Sequence, residues 1–138
     1  MIEVIKEKTS VWVLQPKLKI ELKDRDNTSS IGEAKALAKA LPNVKIIGSI
    51  IVPIERISPK EFFGSGKVSE LSIIFKSQKT DLVIINSQIS PVQQRNLERI
   101  LQRKIIDRTQ LIIEIFGLRA KTKAVSYTHL TLPTSDLV

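Results

Sequence analysis

Short apolar runs alternate with helix-like stretches along this chain, and this alternation constrains the fold more than any other feature of the sequence. Four runs rich in Val, Ile and Leu have the character of strands: residues 11–14, 44–52, 81–86 and 104–108. Apolar residues recur with a helical period in four other stretches: residues 30–41, residues from Gly66 onward, 90–102 and 109–124. We therefore predict an α/β fold, with a mostly parallel sheet of about four strands and helices on both of its faces.

Two of the predicted helices have capping signals at their first residues. Ser30 and Glu33 have the spacing of a capping box, which predicts that the first helix begins at Ser30. Ser90 supplies an N-cap for the third helix. It is followed by a proline at the first helical position and by Gln93, three residues after the cap.

Two strand segments predict a pattern of burial. Seven of the nine residues in 44–52 are Val, Ile or Gly, so we predict that this strand is covered on both faces. Leu18, Ile20 and Leu22 alternate with charged residues, which is the pattern of a strand with one buried face.

A glycine-rich turn that ends in a lysine, Gly64-Ser65-Gly66-Lys67, precedes the second helical stretch. A Walker phosphate-binding loop needs a further glycine where this chain has Glu61, and a Ser or Thr where it has Val68. The G-x-G-x-x-G pattern of a dinucleotide-binding loop is also incomplete, because Ser69 stands where its third glycine belongs. The free N–H groups of a helix N-terminus nevertheless attract anions. Two interpretations therefore stay open: a structural or partner-contact turn, and a nucleotide-binding loop.

The charge of the chain favours a polyanionic partner. There are 22 basic and 14 acidic side chains, which give a formal net charge of +8. Arg95, Arg99 and Arg103 recur at helical spacing and line one stripe if the helix continues that far. Such a stripe either contacts phosphates or is a solvated helix face on which Glu98 screens Arg95 and Arg99.

Few residues are suited to catalysis or metal binding. The absence of cysteine excludes disulfides and thiolate metal sites, and it fits a reducing cytoplasm. Asp81, Asp107 and Glu114 lack the spacing of metal ligands, and the only histidine is His129. Asp107 follows the fourth strand, a position that suits either a ligand group or a helix cap. We predict no catalytic, cofactor-binding or metal-binding residue. Because no apolar stretch reaches roughly 18 residues, we also predict no stable membrane insertion.

Three stretches in order match the pattern of a known family. They are FFGSGKVSEL (62–71), DLVIINSQISPVQQRNLERIL (81–101) and KIIDRTQLIIEIFGLRAKTKA (104–124). Together they resemble the N-terminal domain of the HflX family of translational GTPases, strongly over residues 44–124 and more loosely over 11–43. The resemblance implies an α/β subdomain over residues 1–108, the start of a helical subdomain over 109–124, and a G domain further on.

The resemblance also implies a function in the cytoplasm. The family binds the large ribosomal subunit and helps to split or rescue stalled ribosomes, and its G domain binds GTP and magnesium. This chain lacks those GTP-binding motifs, so we expect it to hold no cofactor and to be inactive as a GTPase. Ribosomal RNA, not DNA, is the expected partner. The expected contacts are Arg95, Arg99, Arg103, Arg108, Arg119, Lys121 and Lys123, and the Gly64–Lys67 loop is a further candidate contact.

The chain departs from the family pattern after Ala124. Residues 125–138 have no helical period, and Val125–Thr134 match the translation of a sequencing-adapter end. We therefore expect a non-native tail on a truncated reading frame, which resequencing of the locus would test. The shortened helix 109–124 is expected to expose apolar residues and cause self-association, whereas the full-length form is expected to be a monomer. Those apolar residues are Leu111, Ile112, Ile115 and Phe116.

Two other functions stay open from the residues alone. A small α/β enzyme or nucleotide-binding regulator would use the Gly64–Lys67 loop, and ATP or GTP would stabilise it. A protein-interaction module without RNA affinity would bind its partner independently of salt.

Overall fold

Strands and helices alternate throughout the computed structural model, which describes residues 8–19 and 27–124. The strands are β1 (Thr9–Leu18), β2 (Val44–Ile54), β3 (Leu82–Ile85) and β4 (Lys104–Asp107). The helices are α1 (Asn27–Ala38), α2 (Ser65–Ser77), α3 (Pro91–Leu101) and α4 (Arg108–Ala124). The strands form one sheet in the order β2-β1-β3-β4, and every neighbouring pair is parallel. The predicted α/β fold is confirmed.

Helices cover both faces of the sheet because successive side chains of a strand point to opposite sides. Along β1, Val11 and Val13 lie in one apolar core with residues of α1 and α4. Leu14 and the half-buried Trp12 lie in the other core, with residues of α2 and α3. The apolar side chains of β3 and β4 divide between the two cores in the same way.

β2 is less covered than its composition predicted. Only its last residues are buried, at Val52 and Ile54, while Ile50 is exposed. β2 lies at the edge of the sheet and pairs only with β1, so it lacks a second neighbouring strand. The prediction that residues 44–52 are covered on both faces is therefore wrong for most of that strand.

The structure shifts two predicted element boundaries near the N-terminus. β1 runs unbroken through Leu18, while Ile20 and Leu22 lie outside the described residues. α1 begins at Asn27, almost one turn before the predicted cap, so Ser30 lies inside the helix. The capping-box prediction at Ser30 is wrong because the polar residues before it are helical as well.

The predicted start of α3 is confirmed in detail. Ser90 Oγ accepts a hydrogen bond from the Gln93 backbone N–H at 3.1 Å, and Gln93 Oε1 accepts one from the Ser90 N–H at 2.8 Å. Pro91 is the first residue of the helix. The reciprocal pair satisfies two backbone donors that a helix N-terminus would otherwise leave free.

The first half of α4 packs on the sheet, so the prediction that its apolar residues are exposed is wrong for Leu111 and Ile115 and confirmed for Phe116. Leu111 and Ile115 are buried in the core shared with α1, and Ile112 is half-buried. Phe116 is 60% exposed, and Ile113 is exposed beside it. The sequence pattern did not reveal that α1 and the sheet provide a surface for this helix.

The indole ring of Trp12 on β1 packs closely against Gly48 on the neighbouring strand β2. The strand register shifts between Val11 and Trp12, and Trp12 pairs with Gly48. A Cβ atom at Gly48 would lie 2.3 Å from Trp12 Cζ2. The indole ring also lies near the Phe75 ring, with the two ring centroids 6.2 Å apart. Glycine is therefore the only residue type that fits at position 48 without displacing the indole ring.

Candidate nucleic-acid interface

The strand order reverses between the carboxyl ends of β1 and β3. The connection through α1 leads from β1 to β2 on one side, and the connection through α2 leads back to β3 on the other side. Open α/β sheets bind ligands at the carboxyl edge, at such a reversal. The starts of all four helices lie at this edge, since each helix follows a parallel strand.

Polar side chains fill the reversal point and fix one another. Asn86 Nδ2 donates hydrogen bonds to the buried Gln15 Oε1 and to the Ser30 carbonyl. Arg108 Nη1 donates to Asn86 Oδ1 at 3.0 Å, and the arginine stays exposed. The network thus holds Arg108, one of the predicted contacts, at the carboxyl edge. Gln15 and Asn86 were missed, although each is a polar residue that directly follows an apolar strand run.

The Gly64–Lys67 loop is the first turn of α2. Gly64 is the N-cap in an extended conformation, and no side chain caps the helix. A Cβ at Gly64 or Gly66 would meet nothing within 4 Å, and neither glycine has a positive φ. Lys67 Nζ lies 3.5 Å from Glu70 Oε1. The loop is therefore an exposed helix start whose first N–H groups have no side-chain cap.

Side chains of α3 fix the segment that leads into this loop. Gln93 Nε2 donates to the Ser58 carbonyl at 2.7 Å, and Asn96 Nδ2 donates to the Lys60 carbonyl at 3.0 Å. Ser58 and Phe62 exchange two backbone hydrogen bonds of 2.9 Å, and the buried Phe62 has a φ of 67°. Because a bulky residue disfavours positive φ, these bonds stabilise a conformation that the segment would not favour alone.

A groove of about 860 Å³ lies between the end of β2 and the start of α2. Lys19, Arg56 and Lys67 line it, together with Glu55. Lys19 Nζ lies 3.4 Å from Glu55 Oε2, and both side chains are exposed. Exposed ion pairs of this kind are weak. The groove therefore presents a net positive surface beside the uncapped N–H groups of α2.

Asp107 is an anchor between two backbone segments. Its Oδ1 accepts from the Gln110 N–H at 2.8 Å and caps α4, and its Oδ2 accepts from the Ile89 N–H at 3.1 Å. The residue is only 8% exposed. Of the two interpretations of Asp107, helix capping is confirmed, because both carboxylate oxygens bind backbone donors.

The predicted arginine stripe breaks at the end of α3. Arg95 and Arg99 are exposed on the helix, but the helix ends at Leu101 and Gln102 takes a left-handed conformation. Arg103 therefore lies beyond the end of α3 and does not continue a stripe with Arg95 and Arg99 on that helix.

Arg103 caps the neighbouring helix instead. Its Nη2 donates to the Phe75 carbonyl in the last turns of α2 at 3.3 Å, and its Nη1 donates to the Gln102 carbonyl at 2.8 Å. A cation at a helix C-terminus interacts favourably with the negative end of the helix dipole. Arg103 is thus a structural residue, and its substitution would disturb the fold.

The predicted basic contacts do not form one cluster. Arg103 precedes β4 and Arg108 follows it, so the two residues lie at opposite edges of the sheet. The side chains of Arg119, Lys121 and Lys123 lie outside the described part of the chain. The structure instead brings Lys19, Arg56 and Lys60 to the edge that carries Lys67. These residues were missed because they are scattered in sequence and only the fold brings them together.

Two features are absent from residues 8–19 and 27–124. No three His, Cys, Asp or Glu side chains in that part of the chain are grouped so that they could hold a metal ion. None of its helices combines the length and the apolar character needed to span a bilayer.

Comparison with known sequences points to one family of GTPases. A family model described as GTP-binding GTPase N-terminal matches residues 28–117. The GTPase HflX of Alkalihalophilus pseudofirmus is 34% identical over 119 residues, which cover 86% of this chain and 28% of that protein. The GTPase HflX of Escherichia coli is 44% identical over 64 residues, which cover 46% of this chain and 15% of that protein. This chain thus spans less than a third of these relatives.

Comparison with solved structures supports the same fold. A crystal structure of a variant of SsGBP superimposes with a TM-score of 0.61 and 21% identity, and it covers 83% of this chain and 36% of that one. The crystal structure of the SsGBP and GDP complex gives a TM-score of 0.57 and 20% identity, over 80% of this chain and 29% of that one. At this identity the likeness concerns the fold alone.

Proposed function

Because the chain belongs to the HflX family of GTPases, as part of its N-terminal domain, we propose that it binds the large ribosomal subunit through ribosomal RNA. In the longer family protein, this contact would hold the G domain on the ribosome, where GTP hydrolysis would aid ribosome splitting or rescue. The site of action would then be the cytoplasm.

The observation that carries this proposal is the basic carboxyl edge of the sheet. Exposed or half-buried cations lie at the end of β1 or directly after it, follow β2, and begin α2 and α4: Lys17, Lys19, Arg56, Lys60, Lys67 and Arg108. The uncapped N-terminus of α2 lies on the same edge and adds N–H donors and a positive dipole end. Phosphates of an RNA backbone are the ligands that such a surface favours.

Reversing three charges at this edge should weaken ribosome binding. For the triple variant Arg56→Glu, Lys60→Glu, Lys67→Glu, we expect affinity for purified large subunits to fall on the order of tenfold or more. Each lost phosphate contact should also lower the slope of log affinity against log salt by roughly 0.7–0.9. Co-sedimentation at several salt concentrations measures both quantities.

A matched control distinguishes the effect of the carboxyl edge on ribosome affinity from the effect of the net charge. Lys45, Lys76 and Lys104 are exposed at the amino edge, and their replacement by Glu changes the net charge equally. This control should retain most of the affinity. Equal losses in both triple variants would reject the carboxyl edge as the contact. Arg95→Glu with Arg99→Glu tests the α3 arginines separately and leaves the structural Arg103 in place.

We propose that nucleotide binds elsewhere in the longer family protein and not at the Gly64–Lys67 loop. Glu61 and Val68 replace two residues of a phosphate loop, and Lys67 is paired with Glu70. Addition of GTP or ATP with magnesium to this chain should therefore leave its thermal unfolding midpoint unchanged. A ligand at about 100 times its dissociation constant would add about 2.7 kcal/mol of stability. A stabilisation that Lys67→Ala abolishes would contradict this and favour the nucleotide-binding alternative.

A further inference from the structure

The groove between the end of β2 and the start of α2 is apolar as well as cationic. Ile57 and Pro59 in its wall are exposed, Ile57 to 48%, so part of the apolar wall faces solvent. Contacts with phosphates alone leave this apolar wall without a role. Besides its cations, the wall contains four apolar side chains: Pro53, Ile54, Ile57 and Pro59.

On the basis of the proposed RNA contact, we infer that this groove takes one unstacked nucleotide from a single-stranded segment of RNA. Its base would lie against Ile57 and Pro59, and a neighbouring phosphate would lie on Arg56. The groove volume of about 860 Å³ falls within the range of small-ligand sites, about 300–1,000 Å³, and so suits a nucleotide. An RNA duplex is far wider and could lie only across the rim.

Duplex RNA would leave the apolar wall unused. In an A-form helix the bases are paired and stacked, so a protein meets mainly phosphates and 2′-hydroxyl groups. A single-stranded segment can instead turn a base outward and place its flat face against a side chain. Arg56 suits such a nucleotide, because a guanidinium group binds phosphate through two hydrogen bonds and also stacks on bases.

Arg56 is also the most available cation of the groove. Its side chain is exposed and makes no hydrogen bond or ion pair with another residue in 8–19 and 27–124. Lys19 and Lys67 lie 3.4 Å and 3.5 Å from the exposed acids Glu55 and Glu70. Such pairs contribute little to stability, so they can open when a phosphate approaches.

The wall that carries Ile57 and Pro59 is fixed before any ligand binds. Ser58, which lies between them, accepts hydrogen bonds at its Oγ from the Lys60 and Glu61 N–H groups, both at 3.3 Å. Gln93 of α3 donates to the Ser58 carbonyl. A groove that is already ordered loses less conformational freedom when a ligand enters it.

Binding of labelled RNA to the 138-residue chain, followed by fluorescence anisotropy, tests the inference. The probes are a single strand of about ten nucleotides, the duplex of the same sequence, and an abasic strand of the same length. Charge alone favours the duplex, because it carries more phosphates at a higher density. We expect the single strand to bind on the order of tenfold more tightly than either other probe, since only it offers a free base.

Substitutions of Ile57 test the apolar wall without changing the charge. Ile57→Ser should weaken binding of the single strand on the order of fivefold and leave binding of the duplex and the abasic strand unchanged. Ile57→Tyr should bind the single strand at least as tightly as the unchanged chain, because bases stack on aromatic rings. Ile73→Ser is the matched control: Ile73 is 69% exposed on α2 but does not line the groove, so affinity for all three probes should stay the same.

The outcomes distinguish this inference from the proposed ribosome contact. A chain that pellets with large subunits but binds the single strand no better than the other probes overturns the inference and leaves the ribosome contact standing. An unchanged single-strand affinity in Ile57→Ser does the same. A chain that binds neither subunits nor RNA overturns both. Circular dichroism shows whether each variant keeps the fold, and the comparison of probes on the unchanged chain depends on no variant.

Discussion

Replacement of Asp107 by alanine is expected to lower the free energy of unfolding by about 2–4 kcal/mol. The carboxylate is buried and accepts hydrogen bonds from the Ile89 and Gln110 backbone N–H groups. Its removal would take the cap from α4 and leave the Ile89 donor buried without a partner. Urea unfolding followed by circular dichroism measures the change.

Two further variants test whether the burial of Asp107 is the reason for this large expected loss of stability. Asp81 also accepts a backbone hydrogen bond, from the Ser10 N–H at 2.9 Å, but it is exposed, so Asp81→Ala should cost about 1 kcal/mol or less. Asp107→Asn keeps one oxygen acceptor and should fall between the two alanine variants. A cost for Asp107→Ala no larger than that for Asp81→Ala would refute the anchoring role.

Replacement of Gly48 by alanine should also destabilise the fold, by about 1–3 kcal/mol. The new methyl group would overlap the Trp12 ring, whose nearest atom would lie 2.3 Å from it. The ring cannot retreat freely because Phe75 lies against it. Trp12 is the only tryptophan, so its fluorescence reports the displacement directly while urea unfolding gives the energetic cost.

Gly32→Ala is the matched control for the glycine substitution. Gly32 lies in α1 with nothing within 4 Å of an added Cβ, so alanine there should stabilise the helix by about 0.5–1 kcal/mol. The double variant Gly48→Ala, Trp12→Leu should lose less stability than the sum of its single changes, since the smaller side chain removes the overlap. Strict additivity would show that the clash is not the cause.

The sequence predicted those features that depend on neighbouring residues. The start of α3 is an example, because Ser90 and Gln93 interact within one turn and their spacing alone determines the cap. The mismatch of the Gly64–Lys67 loop with a phosphate loop was likewise visible in the residue order. Each prediction needed only local geometry.

Features that depend on contacts across the sheet could not be predicted in this way. Arg103 has the spacing of a stripe residue, yet the carbonyl it binds belongs to Phe75 on another helix. Leu111 and Ile115 have the pattern of an exposed apolar face, yet α1 and the sheet bury them. The edge position of β2 likewise follows from strand order, which composition does not encode.

The central position of β1 has a consequence for synthesis of the chain. β1 is made first, but one of its partners in the sheet, β3, lies about seventy residues later, in pairs such as Val11 with Leu82. Contacts between residues so distant in sequence form slowly, because a long loop must close first. During translation, the edge of β1 that pairs with β3 must therefore stay unpaired until β3 has emerged, whereas β2 is made earlier and can pair with the other edge.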